Sequence, residues 1–207
     1  FRSPWDKYKK EKNISNKFLE NGFIIGDIEN NKSLELINKL IKKKVNKILN
    51  LEKNYKFDYN YFHKLILNRE INDKRVKIIN SINSDKNFRL NYFNLAREHL
   101  YALAGNELMM QKRINLSIQV PNDESSLLPV HSDVWSGDSP YEIVLWTPMV
   151  DCFKTKSMYI LKQKDLSYFM KRIKKKDIKS SNQIFDIIKN KIKYINIKYG
   201  QFLIFNQ

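Results

Sequence analysis

Only one cysteine, Cys152, occurs in 207 residues, which excludes an intrachain disulfide framework and a cysteine-rich zinc site and suits a reducing compartment. A small buried residue is the simplest reading of that thiol. No apolar run approaches the roughly 18 residues that span a bilayer. The opening residues, Phe1-Arg2-Ser3-Pro4-Trp5, do not form the apolar stretch of a signal peptide. The expectation is a cytoplasmic protein with no membrane partner. Internal repeats, low-complexity tracts, an arginine-rich stripe and recognisable nucleic-acid-binding motifs are lacking as well. A specific nucleic-acid partner is therefore not expected, despite a formal charge of +16.

What is present suffices for a folded domain: 42% of residues are hydrophobic and 13% aromatic, ample for a buried core at this length. The charge excess is mostly lysine and comes with abundant Asn and Ile, the pattern an AT-rich genome imposes on any protein. Its densest runs, Lys42-Lys43-Lys44 and Lys171 to Lys176, read as solvated helix faces or helix ends. A basic surface nonetheless steers anionic small molecules, such as phosphorylated or nucleotide-linked ones.

The first half reads as mainly helical. Phe18 to Ile28 reads as a helix end, a turn at Gly22 and a short strand, Phe23-Ile24-Ile25. Leu34, Ile37, Leu40, Ile41, Val45 and Ile48 give a helical period over Ser33 to Leu51. Further helical stretches cover about Tyr59 to Ser81 and Phe88 to Ala104, the latter closed by Gly105. From Glu107 onward the pattern is extended: Met109 to Val120, Tyr141 to Val150, Ser157 to Leu161, Tyr194 to Tyr199 and Gln201 to Phe205. A helical insert covers about Asp165 to Lys191. In the first of these strands Arg113, Asn115, Ser117 and Gln119 alternate with Ile114, Leu116, Ile118 and Val120, and the polar face either meets solvent or lines a cavity. A polar loop, Pro121 to Pro129, then leads to His131.

His131-Ser132-Asp133 is the chemically suggestive motif. Non-haem Fe(II) sites use two histidines and one carboxylate on one face of an octahedron, and residues i and i+2 of a strand point the same way. Alone, the His-x-Asp spacing arises by chance, and a surface histidine hydrogen-bonded to an aspartate explains it equally. His63 and His99 fall in helical segments where packing or surface roles are the simpler reading, and neither is assigned to a metal.

The string Gln119-Val120-Pro121, Pro129-Val130-His131-Ser132-Asp133, Trp135 and Val144-Leu145-Trp146-Thr147-Pro148-Met149 resembles the phytanoyl-CoA dioxygenase-like branch of the Fe(II)/2-oxoglutarate oxygenases. Tyr199-Gly200-Gln201-Phe202-Leu203-Ile204-Phe205 is similar to the family's strand before its distal histidine, and Phe18-Leu19-Glu20-Asn21-Gly22-Phe23 to its opening turn. Within the branch, the likeness is to bacterial oxygenases of surface-carbohydrate gene clusters. The resemblance implies an α+β fold, a double-stranded β-helix (jelly roll) over about 106–207, with helical support over about 1–105. On this reading the chain is a single domain trimmed at both ends. It implies His131 and Asp133 as catalytic metal ligands, Trp146 and Gln119 beside the cosubstrate, and Trp135 at the substrate entrance. For Trp146 a core aromatic, for Gln119 an exposed strand residue and for Trp135 an exposed loop aromatic are the competing readings.

The cofactors implied are Fe(II), 2-oxoglutarate and O2, and the activity is hydroxylation of a small carbohydrate or sugar conjugate. Retention of Asp133 resembles hydroxylases rather than halogenases. The family's distal histidine and its downstream Arg or Lys do not appear before Gln207. Trimming is the preferred explanation, since an end inside an apolar strand would expose a hydrophobic edge. The alternative is a non-catalytic jelly-roll module that binds a sugar or nucleotide-sugar.

Overall fold

The structure is a computed structural model that describes residues 4–52, 55, 58–66, 70–121, 123, 128–173, 178 and 180–206. Parts of the expected 59–81 helix, the 121–129 loop, the 165–191 insert and the lysine run at 174–176 lie outside the described residues. The chain forms two compact units. The first comprises Phe1–Asp27, Glu98–Glu107 and Leu128–Gln207, and the second Ile28–Arg97 and Leu108–Leu127.

The second unit is built on helices whose periods were readable. Helix α2 (Asn31–Ile48) starts where the Asn30 side chain accepts a hydrogen bond from the Ser33 amide, satisfying one of the helix's free donors. Leu34, Ile37, Ile41 and Val45 recur at helical spacing and are buried. They face α3 (Ile71–Asn83) and α4 (Phe88–Asn94). The expected helix from Tyr59 is interrupted: Tyr59–Lys64 is a 3-10 turn, and α3 begins only at Ile71. The expected Phe88 to Ala104 helix is likewise two, α4 and α5 (Arg97–Ala104). Gly105 follows α5 at φ +82°, a conformation glycine adopts without steric cost.

The stretch expected as a strand over Met109 to Val120 joins no ladder. Its burial does alternate, Ile114 and Val120 buried against exposed Arg113, Asn115, Ser117 and Gln119. Side chains take the place of a neighbouring strand. Asn83 on α3 accepts from the Ile114 amide and donates to the Ile114 carbonyl, both at 2.8 Å. Arg75 donates to Ile118 O at 2.6 Å, and Arg89 to Met110 O at 2.7 Å. Arg75 is itself buried and meets Asp123 at 2.7 Å.

In the first unit, β1 (Phe23–Asp27), β2 (Ile143–Trp146) and β5 (Gln201–Asn206) form an antiparallel sheet in the order β1-β5-β2. Helix α1 (Pro4–Asn21) packs on β1. Phe202, Leu203 and Ile204 of the central strand are completely buried. Phe23, Cys152, Ile195, Ile197 and Leu203 form one apolar cluster, with Trp146 packed at its margin. A separate two-stranded ladder joins β3 (Tyr159–Leu161) to β4 (Ile192–Tyr194). Between them in sequence lie α6 (Leu166–Ile173) and α7 (Ser181–Ile188), whose Phe169, Ile187 and Ile188 make a second cluster.

The α+β character holds, but the double-stranded β-helix does not. A jelly roll needs two sheets that face each other and enclose a pocket. Here, among the described residues, two small open sheets of three and two strands accompany a majority of helix. The 109–120 segment, needed as a barrel strand, is fixed by side chains instead. No helix among the described residues is long and apolar enough to cross a membrane.

Candidate functional site

His131 precedes a 3-10 turn, Asp133–Ser136, and does not lie on a strand. Its position is set by Val130, which packs on the Phe169, Ile187 and Ile188 cluster. Imidazole Nδ1 lies 2.7 Å from Pro129 O. A carbonyl only accepts, so Nδ1 carries the proton. Nε2 then faces Asp133 Oδ1 at 3.3 Å, an attractive contact when the ring is the imidazolium. The structure thus brings His131 and Asp133 together.

The other expected residues are distributed differently. Trp146 is half-buried in β2 against the Phe23 and Leu203 cluster. Trp135, in the turn after His131, is 54% exposed. Gln119 is exposed on the extended segment of the second unit. Of the remaining histidines, His99 meets the Phe202 ring edge-on at 4.9 Å, and His63 sits tilted to Tyr61.

This donor set does not fit the expected iron. A facial site needs three protein ligands, and among the described residues no group of three His, Cys, Asp or Glu side chains is placed to hold a metal ion. With neither the enclosing β-helix nor the triad, the expected Fe(II)/2-oxoglutarate dioxygenase, its hydroxylation of a carbohydrate and its use of O2 are corrected. The alternative jelly-roll sugar-binding module loses its scaffold on the same grounds.

A different feature emerges where β3 and β4 end. The ladder pairs Leu161 with Ile192, which sets the lysines flanking these residues side by side. Lys162, Lys164, Asp165, Asn190, Lys191, Ile192, Lys193 and Tyr194 line an open depression of about 550 Å³. Four lysines therefore surround a single carboxylate. Asp165 is taken by Lys191 at 3.7 Å, and Lys191 also lies 5.7 Å from the Tyr168 ring centre. Lys193 reaches over the Phe23 ring at 5.2 Å. Among the described residues, Lys162 and Lys164 have no carboxylate within ion-pair distance. Burial first, and then the nearby Tyr194 phenol, raise the Tyr159 hydroxyl above its ordinary value beside this site.

Sequence reading passed over these residues because each lysine, taken alone, resembles a solvated one. Their only collective signal is the 161–192 pairing, which the intervening helices hide. No family model matches the chain, and neither a curated protein nor a solved structure is similar to it. The oxygenase resemblance thus rests on its motif residues alone.

Proposed function

We propose that the chain is a binding protein for a small phosphorylated ligand, held in the depression between β3, β4 and the turn before α6. The observation that carries this reading is the convergence of Lys162, Lys164, Lys191 and Lys193 on one depression with a single, already paired carboxylate. Like charges gathered at one place repel, so a dianionic group between them relieves an unfavourable local field as well as gaining its own attraction. The volume of about 550 Å³ lies within the usual range of small-ligand sites. A cytoplasmic setting, where phosphorylated metabolites are abundant and the single thiol stays reduced, completes the proposal.

The test is calorimetric titration of the 207-residue chain with inorganic pyrophosphate. Saturable binding that weakens with salt is expected, and the double variant Lys162→Glu/Lys164→Glu should abolish it. Lys43→Glu, on the solvated face of α2, serves as the control and should leave it nearly intact. Equal losses in the two variants would show general attraction to a basic surface and overturn the reading.

A further inference from the structure

We infer that the depression is a nucleotide site, with the phosphates on Lys162, Lys164 and Lys191 and the base on the ring of Tyr194. The inference rests on the phosphate-binding reading and adds a second, aromatic subsite to it.

Tyr194 stands directly opposite Tyr159 in the β3–β4 ladder. Their rings meet edge-on, 5.7 Å apart at 70°. Tyr159 in turn leans on Phe185 of α7, 5.6 Å away. This row of three rings supports Tyr194 along one edge, yet the residue remains 55% exposed. Its neighbour two positions back, Ile192, points to the same side of the strand and packs into the Phe169 cluster, so that side is anchored by the core. An aromatic ring positioned by packing, and still open, is a platform that loses little freedom when a planar group settles on it.

The other tyrosine nearby does not offer such a face. Tyr168 is covered by the Arg172 guanidinium at 5.0 Å and by Lys191 at 5.7 Å. Tyr194 is thus the open ring in the wall that carries the lysines. A phosphate alone makes no use of it. A nucleoside diphosphate uses both halves, its charge against the lysines and its base against the ring, since every base has a π-face. Lys193, on the other side of the strand against Phe23, is left out of the phosphate set.

The experiment compares ADP, CDP and inorganic pyrophosphate on the full chain at one low salt concentration. ADP is expected to bind about tenfold more tightly than pyrophosphate, with CDP between them because a smaller base stacks less. Tyr194→Leu should remove the ADP advantage and leave pyrophosphate binding unchanged, whereas Tyr194→Phe should retain the advantage. Circular dichroism of both variants establishes that the fold is kept, and a nucleotide-induced shift of the Tyr194 ring protons gives a readout in the unaltered chain.

Equal binding of ADP and pyrophosphate, or no shift of those protons, overturns the nucleotide inference while the phosphate reading stands. Absence of binding to all three overturns both. An oligonucleotide that binds more tightly as it lengthens, with ADP no better than pyrophosphate, would identify a single-stranded nucleic acid as the occupant instead.

Discussion

Gly26 has no room for a methyl group. It stands opposite Phe202 across the β1–β5 ladder, and a Cβ there would lie 2.5 Å from the tip of that ring. Phe202 is fully buried and has His99 against it, so the ring cannot move aside cheaply. Gly26→Ala should cost about 1–3 kcal/mol, the usual penalty of overpacking, measurable as a lower urea midpoint. Cys152 makes a second expectation. Burial raises its thiol above the ordinary value, and Sγ lies 3.4 Å from Val150 O, suiting the protonated form as donor. The folded state therefore holds this proton more tightly than the unfolded chain. Its contribution to stability is complete below the ordinary thiol pKa and declines as pH rises past it towards the elevated folded value. A Cys152→Ala variant should lack that alkaline decline. A thiol reagent at neutral pH should label the native protein far more slowly than the urea-unfolded one.

Among the elements, the extended segment from Met109 to Val120 depends on α3 most. Arg75→Leu removes the donor to Ile118 O and strands the Asp123 carboxylate, a change expected to cost about 3 kcal/mol, as breaking other buried pairs does. Hydrogen exchange should show amides near Ile118 losing protection first, and Arg75→Lys should restore only part of it, because lysine lacks the planar fork. This segment also shows what a sequence pattern contains. The alternation from Arg113 to Val120 reports which side chains are buried, and it did so faithfully. It does not report what satisfies the backbone, and here Asn83 and Arg75 do so from a helix. The same limit explains the His131 motif: i and i+2 converge in a strand, and they also converge on entry to a 3-10 turn. Helix α2 was legible because its period and its Asn30 cap are local facts. The breaks at 65–70 and 95–96 were not, since apolar residues continue through both.

At the level of the whole molecule, the charge of +16 is a mutual repulsion that folding concentrates. Raising ionic strength from about 0.01 M to about 0.15 M shortens the screening length from about 30 Å to about 8 Å. The thermal midpoint should therefore rise over that range with chloride as the anion, and rise further with pyrophosphate if the depression binds it. A falling midpoint in chloride would mean that attractive pairs outweigh the repulsion. The basic depression escaped sequence reading at this scale for a topological reason. Lys162 and Lys191 become neighbours only through the pairing of Leu161 with Ile192, across two helices whose own patterns give no hint of it. The three-stranded sheet carries the same dependence to its limit. Phe23 pairs with Phe205, and no described strand other than β5 neighbours β1. On the ribosome, β1 emerges early and must wait, unpaired and apolar, while all of the second unit is synthesised. The nascent chain is thus exposed at Phe23–Ile25 for most of its translation, which makes this short strand the natural place for a chaperone to hold it.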